Sequence, residues 1–115
     1  MPRLHLPFDA QLAALDRIVH EPARLAILTA LAECESAEFR YLQALTGLSQ
    51  GNLSMHLIKL EAHGLIVREK NFSGSYPSTS AHATDAGRAA IARHWDQLRT
   101  LRQSAKKLMP SKGMA

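Results

Sequence analysis

The hydrophobic period of this chain changes at Gly64. Upstream, in "LSQGNLSMHLIKLEAHG", Leu53, Leu57 and Leu60 recur at the 3.6-residue spacing of a helix. Downstream, "LIVREKNF" alternates with period two and is rich in branched and aromatic side chains, the pattern of a strand with one face in water. Glycine tolerates the left-handed conformation that ends a helix, so the switch is abrupt. Whatever this chain folds into must set a short amphipathic helix directly against a strand.

The flanking segments extend that frame. Asp9 can cap a first helix over roughly 9–19, where Leu12, Leu15, Ile18 and Val19 share a face. Pro22 suits the first turn of a second helix, roughly 22–34, with Leu25, Leu28, Leu31 and Ala32 on one side and Ile27 widening it. Ser36 is placed to cap a third helix, "AEFRYLQAL", which turns Phe39, Leu42 and Leu45 inward. Gly47 then makes a turn of about four residues in which Leu48 plugs the corner, and Ser49 caps the fourth helix. Beyond Gly64 come a strand at 65–72, the turn "SGSYP", and a returning strand at 78–83, with Pro77 confined to an edge or a strand start. Thr84 and Asp85 cap a long final helix, about 84–107.

The expected class is therefore mostly α with a small β-hairpin (α+β), one domain over 1–115 with its core at about 9–108 and a frayed tail at 109–115. Length agrees, because 115 residues with 46% hydrophobic content support one core and not two. The net charge of +4 suggests a polyanionic partner, although no polybasic run is present.

Helix, helix, helix, tight glycine turn, helix, hairpin, helix is the order of a helix-turn-helix followed by a wing. "PARLAILTAL", "LSQGNLSMHLIKLEAHGLIVREK" and "TDAGRAAI" resemble the MarR/ArsR-type winged-helix transcriptional regulators, most closely the small MarR-like branch, over roughly residues 15–98. The resemblance implies a dimer that binds a pseudo-palindromic double-stranded DNA operator, usually as a repressor. On that reading the outer face of the fourth helix, 49–63, enters the major groove. Ser49, Gln50 and Asn52 sit at the helix N-terminus, where backbone N–H groups favour phosphate and short polar side chains reach base edges. The amides of Gln50 and Asn52 suit adenine, and Met55 suits a thymine methyl. Ser54 and His56 flank the face toward phosphates, and Lys59 adds charge one turn along.

The wing, 65–83, departs from the pattern it resembles. Many such wings carry arginine just past the tip glycine, but this tip reads Ser73-Gly74-Ser75-Tyr76-Pro77-Ser78-Thr79. Ser75, Tyr76, Ser78 and Thr79 can bond phosphate oxygens, while Arg68 and Lys70 charge the strand leading in. Minor-groove readout by arginine is therefore not expected.

In the last helix, Ile91, Leu98 and Ala105 are seven apart, with Leu101 and Leu108 between them at coiled-coil spacing. This seam outruns a small core. Leu12, Leu15, Val19, Trp95, Leu98, Leu101, Ala105 and Leu108 are the expected homodimer interface.

Catalytic motifs do not appear, so no enzyme activity, cofactor or metal is expected. His56 and His63 lie about 10.5 Å apart along a helix, too far to share an ion; His20, His82 and His94 converge only if the fold brings them together. The single Cys34 excludes a disulfide framework and reads as a small buried hydrophobe, with a redox switch as its alternative. Arg24 and Arg88 suit structural ion pairs. No stretch reaches the ~18–20 apolar residues of a membrane span and "MPRLHLPFDA" lacks a signal-peptide core, so a cytoplasmic protein without membrane contact is expected. Any small-molecule effector would have to lodge at the subunit junction. A winged-helix module that binds protein instead of DNA is the competing class.

Overall fold

The computed structural model describes residues 6–73 and 76–113, with Ser73 known by its backbone alone. Five helices and three strands follow in the order α1 (Phe8–Ala13), α2 (Pro22–Ala32), β1 (Ala37–Glu38), α3 (Phe39–Thr46), α4 (Gln50–Ala62), β2 (Ile66–Ser73), β3 (Tyr76–Ala83) and α5 (Asp85–Leu108). The expected mostly α fold with a hairpin is the one observed.

Two local expectations are corrected. Helix α1 ends at Ala13 because Asp16 folds the next segment into a turn: its Oδ1 accepts from the backbone N–H of Ile18 at 2.8 Å and of Val19 at 3.4 Å. Residues 37–38 are not the start of a helix capped by Ser36. They form β1, which pairs with β3 through Ala37 opposite Ala81 and Glu38 opposite Ser80, making a three-stranded antiparallel sheet in the order β1-β3-β2. Pro77 faces Phe72 of β2 at the hairpin end, beyond the reach of β1, where its missing N–H costs no ladder bond to a third strand.

The core forms where α2, α3 and α4 converge on the sheet base and α5. Ile27, Leu28 and Leu31 of α2, Leu42 of α3, Leu53, Leu57 and Leu60 of α4, Ile66 of β2 and Ile91 of α5 are all buried. A buried leucine contributes about 1.5–3 kcal/mol, so the three leucines of α4 anchor it firmly. Leu57→Ala should cost about 2–5 kcal/mol. Phe39 and Leu48 are partly buried against this core, but Leu45, expected to face inward, stays exposed.

Caps fix both ends of α4. Ser49 Oγ accepts from the Asn52 N–H at 3.2 Å, and Gly64, at φ +71°, turns the chain into β2. The corner is then locked to α5: Thr84 Oγ1 donates to the Gly64 carbonyl at 2.6 Å and accepts from the Gly87 N–H at 3.0 Å, while the Thr84 N–H donates to Leu65 O. Gly87 permits this approach, since a Cβ there would stand 2.0 Å from Leu65 O.

At the other end the molecule is drawn out. Its extents are 63 × 35 × 21 Å and its radius of gyration is 17.7 Å, against about 13 Å for a compact chain of this length. The 24-residue α5, about 36 Å long, carries the excess, with α1 held on it by Gln11 Nε2, which donates to Ser104 Oγ at 2.9 Å.

Candidate nucleic-acid interface

With its leucines buried, α4 leaves its other faces uncovered. Gln50, Gly51, Asn52, Met55, Ile58 and Lys59 are exposed, and Ser54 is half-buried. Ser49 is exposed too, although its hydroxyl is engaged as the cap. Asn52 therefore presents its amide beside the first-turn N–H groups of α4, the end of a helix that favours an anion.

A groove of about 800 Å³ runs along one flank of α4. It is lined by Gln50, Ser54 and Leu57 of α4, by Glu38 of β1 with Phe39, Arg40 and Gln43 of α3, and by Arg68, Tyr76, Pro77, Ser78 and Thr79 of the hairpin. The expected wing residues Tyr76, Ser78 and Thr79 thus join Gln50 and Ser54 around one concavity. Arg40 and Gln43 were not foreseen. Their three-residue spacing opposite Leu42 was the available signal, a polar stripe on the face of α3 away from the core. Lys70 is exposed farther out on β2, and Ser75 lies outside the described residues.

Two expected contacts are corrected. His56 is not offered to phosphate: its side chain is 13% exposed, with Nδ1 3.2 Å from Arg24 Nη1 and 3.5 Å from Glu21 Oε2. Glu21 meanwhile caps α2, accepting from the N–H groups of Ala23 and Arg24. Burial raises the Glu21 pKa, but those two N–H groups and the charges of His56 and Arg24 outweigh it and hold the carboxyl below its ordinary range. Arg24 also donates from Nε to Ile18 O at 2.6 Å, so this cluster ties the turn before α2 to α4. Arg68 is likewise engaged, by Glu61 of α4, and remains about one-third exposed at the groove. Arg88 fills a structural role by donating to the carbonyls of Ala32 at 2.6 Å and Cys34 at 2.9 Å, which end α2.

The profile of the winged helix DNA-binding domain family matches residues 23–101. This chain belongs to that family. It is 35% identical over 75 residues to an uncharacterized protein of Methanocaldococcus jannaschii, covering 65% of this chain and 82% of that one. A transcriptional regulator homologue from Pyrococcus horikoshii superposes with a TM-score of 0.75 at 27% identity, over 84% of this chain and 94% of the other. The MarR family regulator Sco3205 of Streptomyces coelicolor, solved in complex with DNA, shares the fold at a TM-score of 0.64 and 21% identity, over 97% and 82%. The winged helix read from the residues is thus the observed fold.

The expected subunit-contact residues fall into two groups. Leu12 and Leu108 are 56% and 63% exposed, Trp95 is exposed, and Leu15 just after α1 and Leu98, Leu101 and Ala105 of α5 are half-buried. Val19 is corrected: at 0% exposure it belongs to the core, because the turn at Asp16 swings it away from the α1 face. Trp95 also donates from Nε1 to Thr29 Oγ1 at 3.2 Å, which holds it partly to its own subunit.

Among the described residues, no three His, Cys, Asp or Glu side chains converge as a metal would require. His20 and His94 do meet, Nδ1 to Nε2 at 3.0 Å, as a hydrogen-bonded pair. Cys34 is half-buried and directs its thiol to Ala30 O at 3.5 Å. No described helix is long and apolar enough to cross a membrane.

Proposed function

We propose that this chain is a cytoplasmic transcriptional repressor that binds duplex DNA as a homodimer, with α4 in the major groove and the hairpin on the neighbouring backbone. The observation that carries this reading is the division of α4. Leu53, Leu57 and Leu60 are sealed in the core, while the Asn52 and Lys59 side remains uncovered on a chain of a DNA-binding family. The groove between α3, α4 and β3 suits a sugar-phosphate strand. Gln50, Ser54, Ser78 and Thr79 supply donors, and Arg40 supplies charge beside the carboxylate of Glu38, which also lines the groove.

Two copies are proposed because the chain is elongated and its apolar α1 and α5 arm has little to cover it. Joining through that arm would set two α4 helices about 34 Å apart, one turn of duplex, to meet a pseudo-palindromic operator. An effector would lodge at the subunit junction.

Fluorescence anisotropy with duplexes selected from a random pool tests the reading. Affinity should fall linearly on a log–log salt scale. Replacing Asn52 and Lys59 by alanine should weaken the selected duplex about tenfold or more while circular dichroism is unchanged. Failure of specific and nonspecific duplexes alike to bind at low salt would overturn it.

A further inference from the structure

The part of α4 that points straight away from the body is not its amide-bearing flank. Opposite Leu53, Leu57 and Leu60, at about 100° per residue, stand Gly51, Met55, Ile58 and Ala62. Asn52, Lys59 and His63 form one shoulder of this ridge, and Gln50 and Ser54 the other. Met55 is 56% exposed and Ile58 52% exposed. One turn apart, they present a continuous apolar strip between two polar margins.

Gly51 adds an independent observation. It is the second residue of α4, it has no positive φ, and a Cβ built on it meets no atom within 4 Å. Glycine inside a helix costs up to about 1 kcal/mol relative to alanine. No described atom crowds this position, so the backbone of α4 is bare here and open to close approach by a partner.

We propose that Gly51, Met55 and Ile58 form an apolar reading ridge that packs on thymine 5-methyl groups in the major groove, with Gly51 at the point of closest approach. The inference rests on the DNA-binding reading above and adds the class of base that is read. Thymine places a methyl on the groove floor, whereas a G·C pair carries no methyl there and presents its N7, O6 and N4 polar groups. Covering those edges with methionine and isoleucine would strand donors and acceptors without partners. The amide and hydroxyl shoulders bracket the strip and can bond the adenine and phosphate groups beside it.

The probe is the tightest-binding duplex recovered from a randomised pool by the full chain, synthesised once with thymine and once with deoxyuridine, which removes the methyl and nothing else. Wild-type protein should bind the deoxyuridine duplex at least fourfold more weakly, about the worth of one buried methyl. Ile58→Ala and Met55→Ala, both at exposed positions, should each narrow that ratio toward one. Gly51→Ala should raise the thermal midpoint yet weaken the thymine duplex at least tenfold. Equal binding of the two duplexes by wild type, or a stabilised Gly51→Ala variant with unchanged affinity, would overturn the ridge and leave the DNA-binding reading standing. Recovery of no duplex at all would remove that reading itself.

Discussion

Glu61 at the end of α4 grips Arg68 of β2 at both its side chain and its backbone. Arg68 Nη2 and Nε donate to Oε1 at 2.7 and 3.1 Å, and the Arg68 N–H donates to Oε2 at 2.9 Å. Helix α4 and the hairpin are thereby braced against each other across the turn at Gly64. A residue expected to meet DNA is held by Glu61 and sets the angle between α4 and the hairpin.

The brace yields a pH prediction. The Arg68 side-chain hydrogen bond and then its backbone N–H, with a lesser part from its charge, hold the Glu61 carboxyl below its ordinary value of 4.5 against the opposing effect of burial. A carboxyl lowered on folding stabilises above its unfolded pKa, and the gain is lost as pH falls through the folded value. Both partners are about one-third exposed, so Glu61→Gln should cost no more than about 1 kcal/mol at pH 7. In urea titrations the gap between variant and wild type should close as pH falls below the ordinary carboxyl value of 4.5 and through the lowered folded one. Duplex affinity should drop severalfold at neutral pH, because the wing is no longer held.

His94 works in another range. Burial lowers its pKa from 6.5, the charge of His20 lowers it further, and Asp16 opposes both. Its Nδ1 is buried without a partner among the described residues. The unfolded chain therefore takes up this proton first. Stability should be full above about pH 6.5 and decline below it, by at most about 1.4 kcal/mol per pH unit for one proton. Chemical denaturation at pH 7.5 and 5.5 should show the decline in wild type and a smaller one in His94→Gln.

Gly87→Ala tests the lock between wing and α5. The added methyl would press on Leu65 O, a backbone atom that cannot swing aside. A loss of about 3 kcal/mol is expected, the upper end for overpacking, read as a fall in the thermal midpoint. Gly51→Ala, in open space, should move that midpoint the other way.

The arm is tested by charge. Leu101→Glu with Leu108→Glu should convert a dimer to monomers in sedimentation velocity. Operator affinity should fall 100-fold or more as the linkage between half-sites is lost, while the circular dichroism signal of the winged body persists.

What could be read from the residues was what short-range rules govern. Ser49, Gly64 and Thr84 set helix ends by local rules, Ser49 and Thr84 by capping an N–H three residues on and Gly64 by its positive φ, and all three sit at the expected boundaries. Asp16 shows the limit: the spacing of Leu12, Leu15 and Val19 continues a helical face, but a side-chain turn ends the helix and sends Val19 into the core. Two residues of β1 carry no period at all and become a strand only because β3 lies beside them. His56 and Arg68 could be placed on their elements from sequence, yet Glu21 and Glu61, which decide where those side chains point, reach them through tertiary contact. Ile58 was passed over because an apolar residue between Leu57 and Leu60 reads as core until the helix is seen docked.

Hydroxyl-radical footprinting of the selected duplex with the full chain tests the central claim most directly. If the uncovered side of α4 is what meets DNA, two protected patches should appear with centres about one helical turn, 10–10.5 base pairs, apart. Both patches should fade in the Asn52→Ala, Lys59→Ala protein at the same concentration. Protection that survives those substitutions unchanged, or no protection on any duplex at low salt, would contradict the account.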